Sequence, residues 1–159
     1  MPSACAKFAM ITFLLSGIAV VPAVTVAASA NEHVVVDGVS IYLGIVPAEI
    51  VGGHSREHEE SEMHGGPPAG KHVYHLVIAV FDQQSGKRIS DARVSASVLE
   101  INHPGRLHEL EPMLIAGTIA YGNYFDLPGT GPYRIMMQIR RPGQPRVIET
   151  EFAFRHART

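Results

Sequence analysis

The chain has 159 residues, the size of one domain, and carries 13 Lys and Arg against 15 Asp and Glu, for a formal net charge of −2. This balance gives no basic surface for nucleic acid. The one cysteine, Cys5, excludes an intrachain disulfide and a metal site built from several thiolates.

Residues 1–30 have the features of a signal peptide. Residues 8–21 are apolar and uncharged, and the ASA sequence at 28–30 has the small-x-small form of a signal peptidase site. We predict export to the periplasm with cleavage after residue 30, which removes Cys5 and leaves residues 31–159 as the mature domain. The alternative is an uncleaved membrane anchor, which the lack of a basic stop after the apolar run disfavours.

The first strands are predicted from short alternating segments. Residues 33–38 and 41–51 predict two strands that pair through the turn dipeptide Asp37-Gly38, and Pro47 indicates an edge or a bulge in the second. Residues 72–82, HVYHLVIAVFD, have two largely apolar faces at period two. That pattern predicts a central strand covered on both sides.

The rest of the chain also predicts β-structure. A hairpin loop at 83–87 follows the central strand, and residues 102–112 form a polar loop. Tyr133, which follows a Gly-rich turn, has the placement of a tyrosine corner. The later strands are predicted at 92–101, 113–116, 121–127, 133–140 and 147–156. We predict an all-β fold, an immunoglobulin-like Greek-key β-sandwich of about seven strands, with a small barrel as the alternative.

A His-rich loop at 52–71 holds the densest group of metal-binding side chains. Imidazole and thioether donors together favour copper over calcium or magnesium, and the nearby glutamates extend the choice to zinc, nickel or iron. A helical turn over 55–63 would place its first two histidines on one face. The alternative is a solvated loop that binds nothing. The candidate ligands here are His54, His58, Met63 and His64.

Two further histidines flank the start of the central strand. His72 and His75 are three residues apart, so a strand points them to opposite faces and they cannot form one ligand pair. His75 on an apolar face favours a buried core histidine, whereas His72 belongs with the loop. Catalytic motifs such as Gly-x-Ser-x-Gly, a phosphate loop or His-Glu-x-x-His do not occur in the sequence, and we predict no enzymatic activity.

The segment 111–139, EPMLIAGTIAYGNYFDLPGTGPYRIMMQI, resembles the periplasmic immunoglobulin-like proteins of high-affinity iron transport, which bind copper. In that family a methionine precedes a histidine by seven residues, and here Met113 and Ala120 occupy these positions. Alanine has no donor atom, so the resemblance implies the fold and a role for Met113 but a rearranged metal site. Related YtkA-like and copper-resistance extracytoplasmic domains share the turn and tyrosine at 128–133.

These observations predict a non-enzymatic periplasmic protein that binds a transition metal, with copper favoured and iron or zinc as alternatives, for metal delivery, uptake or protection. The loop residues are the primary ligands, with His72 or His75 and Met113 supplied by the framework. A membrane transporter or a periplasmic protein is the expected partner. The alternative is a non-catalytic interaction domain of a periplasmic or membrane complex, and a third possibility is a pH response of the nine histidines.

Overall fold

The computed structural model describes residues 32–52, 68–100 and 105–156. The predicted signal peptide, the predicted helical turn over 55–63 and most of the His-rich loop lie outside these residues. In the described part, no helix is long and apolar enough to cross a membrane. The elements are β1 His33–Val36, β2 Val39–Pro47, α1 Ala48–Gly52, β3 Val73–Asp82, β4 Arg93–Glu100, β5 His108–Ile115, β6 Thr118–Asp126, β7 Tyr133–Arg140 and β8 Ile148–Phe154.

The predicted hairpin at the start of the domain is confirmed. β1 and β2 pair antiparallel with Val36 opposite Val39, and both residues of the Asp37-Gly38 turn have positive φ, at 47° and 76°. Two left-handed residues give the backbone twist that a two-residue hairpin requires.

The prediction that β2 runs to residue 51 is wrong. The strand ends at Pro47 and the chain continues as α1, where Ala48 and Val51 are buried while Glu49 and Ile50 are exposed. This spacing of three is helical, and it follows a residue that has no N–H to donate to a sheet.

All eight strands form one antiparallel sheet in the order β1-β2-β3-β6-β5-β4-β7-β8. β3 lies between β2 and β6, so its prediction as a central strand is confirmed. The sheet is nearly closed, because the edge strands β1 and β8 contact each other. An ion pair of 3.4 Å between Arg146 and Asp37 also joins the two ends. The described residues form eight strands instead of about seven, and the immunoglobulin-like sandwich stays a prediction.

β5 connects the two halves of the sheet by changing its partner. His108 and Leu110 pair with β4, whereas residues 111–115 pair with β6. The loop predicted at 102–112 is therefore wrong from His108 onward. Where the pairing with β6 ends, the Asn123 side-chain amide donates a hydrogen bond of 2.8 Å to the carbonyl of Glu109 and so replaces a backbone contact.

The hairpin predicted between β3 and β4 forms only its turn. Ser85 donates from its backbone N–H and its hydroxyl to the Asp82 carboxylate at 2.9 and 2.8 Å, and Phe81 forms a bridge with Arg88. These hydrogen bonds lower the pKa of the Asp82 carboxyl. The chain then crosses to the other half, where β4 pairs with β5 and β7. A local turn pattern does not reveal such a crossing.

The main core lies inside the curved sheet. On β3 the side chains of Leu76, Ile78 and Val80 are fully buried in it, as the alternation predicted. Tyr121 on β6 extends across this core, and its hydroxyl accepts a hydrogen bond from Ala92 N–H at 3.0 Å and donates to the carbonyl of Ile89 at 3.2 Å. Burial raises the pKa of the Tyr121 hydroxyl. Tyr121 thus ties the β3–β4 crossing to β6.

Tyr133 is also buried, and its ring stacks on Phe154 at a centroid distance of 6.2 Å. Its hydroxyl forms no hydrogen bond to any residue that the structure describes, although a tyrosine corner depends on such a bond to the backbone. The hydrogen bonds from a tyrosine hydroxyl to the backbone, expected for Tyr133 as a tyrosine corner, are thus made by Tyr121 instead.

The two tyrosines provide a matched test of the crossing. We expect Tyr121→Phe to lower the free energy of unfolding by about 1–2 kcal/mol, because it leaves a backbone N–H and a carbonyl without their partner. Tyr133→Phe should change stability little, since its hydroxyl has no such bond to lose. Urea unfolding of both variants measures this difference, and equal losses would contradict the role assigned to Tyr121.

Candidate metal-binding site

A second buried region lies on the outer face, by which we mean the side of β2, β3, β6 and β5 opposite the main core. His75 on β3 is 1% exposed, and Met113 on β5 is 2% exposed, yet neither belongs to the main core. β6 lies between these two strands. A buried imidazole and a buried thioether therefore share one surface of the sheet.

Gly122 on β6 determines how these two side chains meet. A Cβ atom placed on Gly122 would lie 2.6 Å from the Met113 sulfur and 2.7 Å from His75 Nε2. Both atoms therefore occupy the space that a side chain would need, and their separation cannot exceed the sum of these two short distances. Glycine at position 122 is required for space, because the thioether Sδ and the imidazole Nε2 converge above it.

The orientation of His75 is held by its neighbours. It lies opposite Tyr124 in the β3–β6 register, and the two rings stack with centroids 4.6 Å apart and planes inclined by 26°. β3 is hydrogen-bonded to β2 on its other side, with Val46 opposite His75. The backbone that carries the imidazole is thus fixed by two strands and the ring by a third contact.

The register also shows which residues border the pair. Glu111 lies opposite Gly122 and is exposed, and Ala120 lies opposite Met113 and is 3% exposed. Both share the outer face with Met113, because paired residues in antiparallel strands point to the same side. A carboxylate thus lies next to the pair, whereas the position opposite the thioether carries a methyl group.

Imidazole nitrogen and thioether sulfur are a donor combination that suits copper and does not suit hard cations such as calcium or magnesium. Two protein donors are fewer than a closed site requires. Among the residues that the structure describes, no three His, Cys, Asp or Glu side chains come together as a metal site. The described framework therefore offers two converging donor atoms, which are fewer than a complete coordination sphere contains.

The structure brings together two of the residues predicted from sequence, His75 and Met113. His72 lies just before β3, three residues from His75, and is exposed, and its carbonyl accepts a hydrogen bond from Leu127 N–H at 2.8 Å. The four loop candidates, His54, His58, Met63 and His64, lie outside the described residues.

Sequence reasoning missed the contribution of Gly122 and of Glu111. Glu111 precedes Met113 by two residues, so both lie on the same face of a strand. Because residues 102–112 were predicted as a loop, Glu111 was not placed on that strand. Gly122 interrupts an otherwise bulky strand, and an isolated glycine in a strand is a known sign of close approach by another group.

Comparison with solved structures shows proteins of similar fold. FetP of uropathogenic Escherichia coli strain F11, as isolated after expression in the periplasm of E. coli BL21(DE3), aligns with a TM-score of 0.60 and 17% identity, over 80% of this chain and 94% of FetP. A copper-bound variant of the same FetP gives a TM-score of 0.55 and 17% identity, over 77% and 93%.

A DUF4426 family protein from Pseudomonas aeruginosa PAO1 gives a TM-score of 0.54 and 12% identity, over 76% of this chain and 91% of that one. No family model and no curated protein matches the chain. The structural neighbours match the resemblance predicted from segment 111–139, and at these identities they show the fold.

Two glycines on the outer face provide a test of the convergence. Gly122→Ala should lower the free energy of unfolding by about 1–3 kcal/mol, the usual cost of overpacking, because the new methyl group displaces the His75 and Met113 side chains. Gly44→Ala is the control, since a Cβ atom at Gly44 meets Val77 at an ordinary 3.8 Å. Thermal and urea unfolding of both variants measure this. A neutral Gly122→Ala would contradict the geometry described above.

Proposed function

We propose that this protein is exported to the periplasm and binds a transition metal, copper in the first place, for delivery, uptake or protection, without catalysing a reaction. The observation that carries the proposal is the convergence of His75 Nε2 and Met113 Sδ above Gly122. The fold it shares with FetP, of which one variant was solved with copper bound, supports the choice of metal.

The metal would need donors beyond this pair, and two sources are close along the chain. Glu111 borders the pair on β5 and offers a carboxylate. The His-rich loop follows directly on α1, which packs against β2 and β3. We propose His54, His58, Met63 and His64 as further ligands, with His72 at the end of the same loop.

The fold is proposed to be an immunoglobulin-like sandwich in which the nearly closed sheet folds into two layers. In this arrangement the outer face carrying His75 and Met113 belongs to the half formed by β1, β2, β3, β6 and the second part of β5. A membrane transporter or a periplasmic protein that receives the metal is the proposed partner.

An interaction domain without a metal is less well supported. β7 has an exposed polar face that could contact a partner, but it already uses its polar side chains within the chain. Arg134 Nε donates to Glu151 at 2.7 Å, and Gln138 donates to Glu149 at 3.0 Å. The hydrogen bond from Arg134 lowers the pKa of the Glu151 carboxyl. These internal pairs satisfy groups that a partner would otherwise engage.

Removal of the two framework donors tests the proposal. Met113→Leu and His75→Phe keep the volume and, for position 75, the stacked ring, but each removes a donor atom. We expect each to weaken Cu(I) binding by at least about tenfold, as measured by competition with a chromophoric Cu(I) chelator.

Met137→Leu is the matched control, because Met137 is equally buried but lies in the main core. A triple change of His54, His58 and His64 to Asn separates the contribution of the loop from that of the framework. Unchanged affinity in both framework variants would refute the proposed site.

The affinity should also depend on pH in a defined direction. Histidine ligates a metal only in its neutral form, and an ordinary imidazole has a pKa near ~6.5. Copper binding is therefore full above this value and weakens as pH falls below it, because protons compete for the ligand nitrogens. Titrations between about pH 5 and 8 measure this dependence. An affinity that does not change over this range would exclude histidine as a ligand.

A further inference from the structure

A different metal-binding arrangement is created by the predicted processing of the chain. Cleavage after residue 30 leaves a mature protein that begins Asn31-Glu32-His33. A histidine at the third position lies within chelating reach of the free α-amine and of the two intervening amides. We propose that this amino terminus is a binding site for a divalent metal of square-planar preference, Cu(II) or Ni(II).

The chemistry follows from the ligand set. The α-amine nitrogen, the amide nitrogens of Glu32 and His33 and the imidazole Nδ1 of His33 give four nitrogens in two five-membered rings and one six-membered ring. Square-planar nitrogen coordination selects Cu(II) or Ni(II). Neither Glu32 nor His33 is a proline, so both amides carry the proton that the metal must displace.

The structure places His33 at the end of an edge strand. It is exposed at the first position of β1, where its ring stacks on Tyr42 with centroids 4.3 Å apart. Leu43 N–H donates to the Glu32 carbonyl at 2.9 Å, so Glu32 and Leu43 form a hydrogen-bonded pair. Because such pairs alternate along an antiparallel ladder, His33 and Tyr42 form a non-bonded pair. The ladder with β2 therefore does not use the His33 N–H.

Chelation requires a limited change at the strand end. The backbone of Glu32 must turn so that its own amide nitrogen and that of His33 face one metal, which breaks the bond from Leu43 and lifts His33 from Tyr42. Residues 34–36 keep their pairing with β2. The site thus forms by opening two residue pairs, Glu32–Leu43 and His33–Tyr42, at the end of an edge strand.

This site is separate from the pair described above. In the sheet register His33 lies opposite Tyr42, and Tyr42 lies opposite Ala79. Ala79 and His75 are four residues apart on β3, so the two histidines are offset by about 13 Å along the strands. The two sites share no ligand. The inference depends on export, which belongs to the proposed function, and on the cleavage after residue 30 that the sequence predicts, but not on the His75–Met113 pair.

Proton release accompanies binding. Each bound metal displaces one proton from each of the two amides and also the proton of the α-ammonium group, whose pKa is ordinarily about 7.7–8.0. These protons pass to the buffer, and no electron is transferred. Metal binding to neutral imidazole and thioether releases no amide proton, so the two sites differ in a measurable quantity.

The test uses the mature protein purified from periplasm, with its first residue determined by mass spectrometry. Cu(II) titration of a chain that begins at Asn31 should give the visible and EPR spectra of four-nitrogen, square-planar Cu(II) with release of both amide protons. A chain with one glycine added before Asn31 retains every side chain but moves the histidine to the fourth position. We expect the added glycine to lower the affinity for the first equivalent of Cu(II) by more than about 100-fold. Changes that only disturb the surroundings of a ligand usually lower metal affinity by about 10- to 100-fold.

His33→Gln should abolish the four-nitrogen spectrum, while the variant that combines His75→Phe and Met113→Leu should retain it. Loss of Cu(I) binding in that double variant together with an intact spectrum supports both sites. An unaltered spectrum in the glycine-extended chain, or a mature chain that begins at another residue, would overturn the inference and leave the His75–Met113 site unaffected.

Discussion

β5 divides its backbone hydrogen bonds between two neighbours, and the architecture depends on this division. Its first residues belong with β4 and its later ones with β6, so a single strand joins two groups of strands into one nearly closed sheet. The side-chain amide of Asn123 fills the position where the second ladder stops. Because β6 also pairs with β3, the division at β5 places Met113 beside His75, which is distant in sequence.

The region around Gly122 combines packing with chemistry. The imidazole and the thioether fill the space above Gly122, which has no side chain, and Tyr124 stacks on one side of the imidazole ring. A buried histidine alone is consistent with a purely structural role. The neighbouring Met113 sulfur adds a second donor atom, which leucine would not offer although it fills the same volume. Ala120 lies opposite the sulfur, at the position where the family that the sequence resembles has a histidine.

Local sequence patterns correctly predicted those elements whose structure depends on residues close together in the chain. The hairpin through Asp37-Gly38, the strand at 133–140 and the central strand were predicted correctly, because turn chemistry and alternation are properties of short segments. The helix after Pro47, the start of β5 and the crossing after β3 were missed, since each is decided by tertiary pairing. His75 and Met113 were each named from sequence, but their convergence depends on two registers across β6 that no local pattern contains.

The pairing of β3 on both sides has a consequence for how the protein would lose a bound metal. The backbone of His75 cannot move away from that of Met113 without separation of β3 from β2 or β6, so the backbone placement of the two donors persists for as long as these ladders do. A metal bound there would therefore be released by local opening only through movement of side chains, on the side bordered by the exposed Glu111. Dissociation driven by heat or denaturant would instead coincide with the cooperative unfolding of the sheet, and a bound ion would raise the temperature of that single transition.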